Sequence, residues 1–470
     1  MKKTIFILIL IAGICTGVSF QIGRVIEAEL PTVLDRVAEL GQIQISITSY
    51  DRNIFRSTVK SAVTLPSISG QLEKIHLKHE IWHGPLPFGK SSDGQIHFKP
   101  MSALVETKVD KENPPTGLIG EFFSQCPELY ASIELTRFDF AGNGASAYNI
   151  PGFEKSFGEN DDSLLLKWQG LNGTANIDKS MKNIKGMVSV PNIRLSNQKS
   201  RLETGEIKSS FRIFEDFGGL LLGNVTVDVA TIDIIDGKQK TAFKDFQFRN
   251  AAKLDNDTVS YSIAIGIETV QAGDQSYGPA GLELDFVRLD AATILKVQKR
   301  LQTIQSEIKT ISEEAISGHI FTIYAEALPA LIEKNPEIKL NYLNLRSPDG
   351  EFWTKGNIVF ENPKGQKIHD LNSLLSTIKA KSDSQISKTL LQNFLTTVIK
   401  GQLNQAREAG QLGDLNNDQF NAMASGAAAE QLAKLQADGS IVDEGNNYRA
   451  EFSFKNQRTT LNGRPLSIQQ

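Results

Sequence analysis

A period of two in the hydrophobicity of residues 42–290 is the feature that most restricts the fold of this chain. Ile43, Ile45 and Ile47, for example, are separated by polar residues. This alternation is typical of β-strands with one buried face. Asp236-Gly237 stands between two such runs, and this dipeptide favours a tight hairpin because both central positions need φ > 0. The pattern therefore predicts a long antiparallel meander.

The period becomes helical after Asp290. A narrow apolar stripe follows, made of Ile294, Val297, Leu301, Ile304, Ile308, Ile311 and Ala315. Two interpretations remain open: a helix covering the open face of the sheet, or a coiled-coil seam for a partner protein. Residues 370–437 are predicted to be helical, with apolar residues again at helical spacing. Tyr448–Phe454 and Thr459–Leu461 are predicted to form a closing hairpin.

The predicted fold class is α+β, mainly β: a long, curved antiparallel meander sheet with helices packed on one face, plus one N-terminal transmembrane helix. The predicted divisions are 1–23 (cytoplasmic stub and signal anchor), 24–41 (juxtamembrane helix), 42–290 (antiparallel β-rich body), 291–338 (long helix pair) and 339–470 (hairpin, helical segment and closing hairpin).

The transmembrane prediction rests on Thr4–Gly23, which carries no charge and follows Lys2 and Lys3. About twenty such residues suffice to cross a bilayer. A retained anchor, a cleaved signal peptide and a lipoprotein signal at Cys15 are the alternatives. The positive flank predicts an inner-membrane protein with one crossing and its C-terminal body in the periplasm.

Composition narrows the possible partners. The net charge is −4 and no basic stripe occurs, so no nucleic-acid partner is expected. The two cysteines, Cys15 and Cys126, are far apart in the chain, and no internal disulfide is expected. No phosphate-binding glycine loop and no nucleophile elbow are present, so we expect no cofactor and no catalytic residues.

The one metal-like motif is His79-Glu80-Ile81-Trp82-His83, which matches H-E-x-x-H. On a helix, the two histidines would share a zinc ion. The preceding residues alternate as in a strand, and Gly84-Pro85 follows at once. In a strand, the two imidazoles would lie about 13 Å apart, too far for one ion. His79 and His83 are therefore weak metal candidates, and a zinc hydrolase is the least favoured hypothesis.

Three segments together resemble a known family. They are Tyr50-Asp51-Arg52-Asn53-Ile54-Phe55-Arg56-Ser57, His83-Gly84-Pro85-Leu86-Pro87, and Asn456–Gly463, whose last residues are Leu461-Asn462-Gly463. They are similar to the motifs of the YdgA-like envelope proteins of Gram-negative bacteria, a family of unknown function. The resemblance covers nearly the whole chain and implies no catalytic signature.

The resemblance selects ten motif residues for a binding or structural role: Tyr50, Arg52, Phe55, Ser57, His83, Gly84, Pro85, Pro87, Asn462 and Gly463. Turn chemistry favours a structural role for them over a ligand site. The leading hypothesis is a non-enzymatic, membrane-anchored periplasmic protein that binds a lipid or another hydrophobic ligand on an amphipathic sheet face. The alternative is a scaffold that binds a partner protein of the envelope.

Overall fold

The computed structural model describes residues 2–41, 43–66, 72–87, 89–90, 96–97, 99–158, 163–307, 313–362, 371–410 and 416–466. The chain divides into two compact units. Unit 1 comprises Met1–Gly237 and Gln298–His319, and unit 2 comprises Lys238–Val297 and Ile320–Gln470.

Unit 1 begins with one long helix, α1 (Lys2–Gly41), which continues through Pro31. Two further helical segments lie before residue 132: α2 (Gly117–Gln125) and a 3₁₀ helix (Pro127–Ala131). The strands are β1 (Gln44–Arg52), β2 (Arg56–Pro66), β3 (Leu72–His83), β4 (Gly89–Lys90), β5 (Ile96–His97), β6 (Ala103–Val109), β7 (Ile133–Phe138), β8 (Gly144–Ile150), β9 (Phe153–Phe157), β10 (Leu164–Trp168), β11 (Leu171–Ile177), β12 (Asn183–Val190), β13 (Ile193–Ser196), β14 (Ser200–Thr204), β15 (Ile207–Asp216) and β16 (Leu220–Asp236).

The remaining strands are β17 (Gln239–Asp255), β18 (Thr258–Ala272), β19 (Gln275–Tyr277), β20 (Ala280–Asp290), β21 (Glu337–Ser347), β22 (Gly350–Phe360), β23 (Ile378–Ser387), β24 (Val442–Glu444), β25 (Asn447–Lys455), β26 (Arg458–Leu461) and β27 (Arg464–Pro465). The later helices are α3 (Ala291–Glu307), α4 (Glu313–Ile332), α5 (Leu371–Thr377), α6 (Lys388–Glu408) and α7 (Asn417–Ala437). The predicted stripe at 294–315 runs along α3 and into residues outside the described part of the chain.

The described strands confirm the mainly β, antiparallel part of the predicted fold class, because each pairs antiparallel with its neighbours. The transmembrane part is wrong. Within the described residues, no helix combines the length and the hydrophobicity that a membrane crossing requires. The physical reason lies in the second half of α1, which carries charges from Arg24 onward and packs against strands of unit 1 through Ile26 and Leu30.

One strand was missed in the segment predicted to be helical. β23 pairs with β22 and β25, so that Ile386 lies between Phe352 and Tyr448. Its alternating pattern is weak because the alternate positions Ser382 and Ser384 are polar. The closing hairpin is confirmed, with Lys455 paired to Arg458 across the turn.

The main ladder of unit 1 has a polar and an apolar face. It runs β1–β2–β3–β6–β7–β8–β11–β12–β15–β16, with direct cross-strand partners that can be followed from strand to strand. We call one side the apolar face. Between β8 and β16 it carries three rows without a charged residue, among them Ser146–Ala175–Gly186–Phe211–Val225 and Gly144–Ile177–Ile184–Ile213–Gly223.

Four breaks in the strands of unit 1 lie on one line, which we call the crease. They fall at Pro151-Gly152, Gln169-Gly170, Pro191-Asn192 and Gly205-Glu206. Beyond the crease a second ladder runs β9–β10–β13–β14–β16. Proline cannot donate to a ladder and glycine permits unusual backbone angles, which explains breaks at these positions. Among the strands that the structure describes, only β16 crosses the crease unbroken, pairing with β15 up to Val229 and with β14 from Ile232.

Three glycines of the apolar face each lie directly opposite an aromatic residue. The pairs are Phe138 with Gly144, Tyr148 with Gly173, and Phe211 with Gly186. In each pair, the aromatic ring is the nearest side chain to the position where a β-carbon of the glycine would stand. The rings therefore lie over the glycines, an arrangement that shields a glycine backbone and fixes the register.

We expect Gly173→Ala to lower the free energy of unfolding by about 1–3 kcal/mol, because the new methyl group would overlap the ring of Tyr148. Urea unfolding followed by circular dichroism measures this change. Gly266→Ala in β18 is the matched control, since the nearest atom to its added β-carbon is 4.0 Å away. The control should be neutral or gain up to about 1 kcal/mol. Equal effects of the two substitutions would contradict the packing argument.

Candidate functional site

The two N-terminal motifs meet at one corner of unit 1, where β3 ends beside the turn between β1 and β2. The backbone N–H of His83 donates to the carbonyl oxygen of Phe55 at 2.9 Å. The His83 ring lies between the two motifs, with Nδ1 3.0 Å from the carbonyl oxygen of Ile54 and Nε2 2.9 Å from Ser57 Oγ.

These contacts define the tautomer of His83. A carbonyl oxygen only accepts, so Nδ1 carries the proton and donates to Ile54. In the neutral ring, Nε2 then accepts from the Ser57 hydroxyl, while Tyr50 Oη donates to Ser57 Oγ at 3.3 Å. The result is a directed chain from Tyr50 through Ser57 and His83 to the backbone of the turn.

This corner is sealed. Ser57 is 0% exposed and His83 is 1% exposed. Burial lowers the pKa of His83, which keeps the ring neutral. A Ser–His contact is also the beginning of a nucleophile–base pair, but these atoms leave no surface for a substrate to approach. The geometry instead joins the end of β3 to the β1–β2 turn.

Helix α1 covers the His83 side of this corner. A β-carbon on Gly23 would lie 2.5 Å from Cε1 of the His83 ring, so only glycine allows the helix to approach so closely. Ser19 Oγ donates to the carbonyl oxygen of Gly84. Glu27 lies 2.7 Å from Arg52 Nε, and the Arg52 guanidinium stands 5.0 Å from the centre of the Phe20 ring.

The other residues of these two motifs have different surroundings. Pro87 is buried and Pro85 is half-buried, and the Gly84–Pro85 peptide is cis. The side chain of Phe55 is exposed, so its contribution to the corner is the carbonyl group that accepts from His83.

The C-terminal motif organises a separate corner in unit 2. Asn462 and Gly463 both have positive φ, at 50° and 76°. The side-chain amide of Asn462 donates to the carbonyl oxygens of Gly439 and Ser440 at 2.8 and 3.1 Å. Its Oδ1 accepts from the N–H of Glu451 at 2.7 Å. Asn462 therefore joins the loop after α7 to β25.

His79 and His83 lie on one strand, β3, and each has its own serine. His79 Nε2 is 2.8 Å from Ser61 Oγ, and its Nδ1 is 2.9 Å from Thr107 Oγ1. The two imidazoles thus bond to different groups. No cluster of three or more His, Cys, Asp or Glu side chains suited to a metal ion occurs in the described part of the chain.

An open cavity of about 750 Å³ lies on the polar face of the main ladder, on the side opposite α1. Two cross-strand rows line it. We call Ile133–Asn149–Asn172–Ser189–Lys208–Asp228 the amide row, and Leu135–Ala147–Thr174–Met187–Ser210–Thr226 the methyl row. Arg137 of the neighbouring row also lines the cavity.

The methyl row gives the cavity an uncharged centre. Leu135 is buried, whereas the Met187 side chain is 61% exposed at the middle of the row. The amide row supplies hydrogen-bonding groups on one side, including the Asn149 amide, which donates to Asn172 Oδ1. The arrangement can hold a ligand that has both an apolar part and polar groups.

Sequence reasoning missed Ser19, Gly23 and Glu27, because the start of α1 was interpreted as an anchor. It also missed both Ser–His contacts, since the serines are more than fifteen residues from their histidines. No short sequence pattern marks the cavity, because its residues form rows only when the register of six strands is known.

The protein is mainly β, and the motif residues at its two corners join strands to loops. The chain belongs to a bacterial protein family of unknown function, DUF945, whose model matches residues 1–469. No curated protein and no solved structure matches the chain.

We expect Gly23→Ala to destabilise the protein by about 1–3 kcal/mol, because the methyl group would displace the doubly bonded ring of His83. Gly17→Ala in the same helix is the control, as nothing lies within 4 Å of its added β-carbon. Alanine is the better helix former by about 1 kcal/mol, so the control should be neutral or slightly stabilised. Thermal and urea unfolding measure both, and a stabilised Gly23→Ala variant would refute the contact.

The second prediction concerns pH. Burial lowers the pKa of His79 from 6.5 to about 4. The unfolded chain therefore binds the proton first, and stability falls as the pH drops from about 6.5 towards 4. We expect the wild-type protein to lose up to about 2 kcal/mol more than His79→Gln between pH 7 and pH 5.

Urea unfolding at the two pH values gives this difference. His83 is present in both proteins, so its own contribution cancels. An equal loss in the wild-type and His79→Gln proteins would show that the pKa of His79 is not lowered.

Proposed function

We propose that the protein is a non-catalytic binding protein that holds an amphiphilic, lipid-like ligand in the cavity on the polar face of unit 1. The observation that carries this proposal is the uncharged methyl row, which lies open between the amide row and Arg137.

The size of the cavity supports the proposal. Its volume of about 750 Å³ falls within the range of about 300–1,000 Å³ that is usual for small-molecule sites. The methyl row also has a suitable length. Six strands at a spacing of about 4.8 Å give a strip of about 24 Å, long enough for an extended acyl chain.

The chemistry of the lining selects an amphiphile over a purely apolar molecule. Met187 and Ala147 offer aliphatic surface, while Asn149 and Ser189 stand one row away with amide and hydroxyl groups. A bound chain would cover the exposed Met187 side chain, which favours binding through burial of apolar area.

We also propose that the chain is a YdgA-like envelope protein, and this proposal rests on the three motifs. The location in the inner membrane and periplasm stays a prediction. The scaffold alternative also stays a prediction, since part of the 294–315 stripe lies outside the described residues. A zinc hydrolase at His79 and His83 has no observation in its favour.

Met187→Glu should weaken binding of a neutral fluorescent probe, parinaryl alcohol, at least tenfold. The substitution places a charge at the centre of the methyl row, where the bound chain would have to desolvate it. Because Met187 is 61% exposed, the variant should fold normally. Fluorescence titration of the full-length protein measures the dissociation constant.

Met423→Glu is the matched control: it makes the same replacement at a partly exposed methionine, on α7 of unit 2. The control should bind the alcohol as the wild-type protein does. No binding by the wild-type protein, or equal weakening in both variants, would overturn the proposed function.

A further inference from the structure

The row that follows the methyl row on the polar face carries only positive charge. We call it the cationic row: Arg137–Ala145–Asn176–Lys185–Arg212–Asn224, aligned by direct cross-strand pairing. It contains three cations and no carboxylate. The side of the methyl row that faces away from the amide row is therefore positively charged at Arg137, Lys185 and Arg212.

The opposite margin carries no excess of positive charge, since one cation there faces two carboxylates. Lys208 of the amide row lies 2.8 Å from Glu206, and its direct partner across the strands is Asp228. The remaining residues of the amide row are uncharged. An anionic ligand group would therefore gain nothing on this side, and the charge difference between the two margins favours one orientation of an anionic ligand in the cavity.

Arg137 is the member of the cationic row that lines the cavity. It is half-buried, which strengthens its interaction with an opposite charge relative to a fully exposed cation. Its diagonal neighbour on β6 is Glu106. Lys108 already lies 2.9 Å from the Glu106 carboxylate. The planar guanidinium of arginine is suited to bind a carboxylate or a phosphate through two parallel hydrogen bonds.

The other two cations have supporting positions. Arg212 Nε donates to Asn183 Oδ1 at 3.1 Å, and its guanidinium stands over the Phe214 ring. Lys185 is exposed and stands between Asn176 and Arg212 in the row. Both raise the local positive potential, and Arg137 supplies the direct contact.

We infer that the ligand is an anionic amphiphile whose single acidic headgroup binds Arg137 while its acyl chain lies along the methyl row. This inference rests on the proposed function and adds the charge of the ligand and the residue that binds the charged group. The shared chemistry is a carboxylate or a phosphate monoester on one alkyl chain.

The experiment compares parinaric acid, parinaryl alcohol and hexadecyl phosphate on the full-length protein at low salt. The two fluorescent probes are titrated directly, and the phosphate is measured by displacement of the alcohol. We expect parinaric acid to bind at least tenfold more tightly than the alcohol. Arg137→Gln should abolish this preference.

Lys179→Gln removes a positive charge from an exposed turn of the same unit and is the control, expected to keep the preference. Lys185→Gln is a second variant, at an exposed site where we expect the substitution to leave folding intact. It should reduce the preference for the acid about two- to fivefold, and added salt should reduce it further.

The outcomes separate the two proposals. Equal affinities of the wild-type protein for acid and alcohol, or an unchanged preference in Arg137→Gln, would overturn the anionic ligand and leave the proposed function standing. Binding of neither probe would overturn the proposed function itself. An affinity for hexadecyl phosphate at least tenfold higher than that for parinaric acid would assign the headgroup as a phosphate, and the reverse would assign a carboxylate.

Discussion

Cross-strand register is the constraint on which the rest of unit 1 depends. A strand shifted by one residue would exchange its two faces, which would place the apolar residues in solvent and the polar rows inside. Hydrophobic alternation alone leaves several registers with the correct parity. The glycines opposite Phe138, Tyr148 and Phe211 remove that freedom, because each ring fits over only one position of the neighbouring strand.

The same register produces both the sealed corner and the open cavity. His83 and Gly144 belong to one row of the apolar face, along which α1 reaches the sheet at Gly23. Arg137 and Met187 lie on the other face, one residue out of phase. A single pattern of alternation therefore separates the residues that hold unit 1 together from those that stay accessible to a ligand.

Much of the architecture could be predicted from the sequence because hydrophobic period is a local property. The strands of residues 42–290, the long helices and the closing hairpin around Lys455–Arg458 follow from it. The helices at Gly117–Ala131 and the strand β23 could not, since they are short or polar and are fixed by their neighbours. The composition of the apolar N-terminal run predicts a membrane anchor. The contacts of Ser19, Gly23 and Ile26 are with strands later in the chain, so the composition of the run could not predict them.

The motif residues illustrate what a resemblance can and cannot give. It selected Ser57 and His83, which the structure places 2.9 Å apart, but it carried no information on their contact. It selected Asn462 without the loop to which this side chain is bonded. The cavity residues belong to no motif, because amides, hydroxyls and a methionine on a solvent face look ordinary until six strands are aligned.

The crease separates two hydrogen-bonded ladders that share one strand. The chain breaks four times at that line, whereas β16 passes through it. The backbone hydrogen bonds of β16 continue on both sides: the N–H of Ala230 donates to Glu206, and the carbonyl of Thr231 accepts from Gly205. Each ladder is able to open without unzipping the other, provided that β16 holds. Loss of the pairing of β16 would therefore separate two ladders that belong to one hydrogen-bonded sheet.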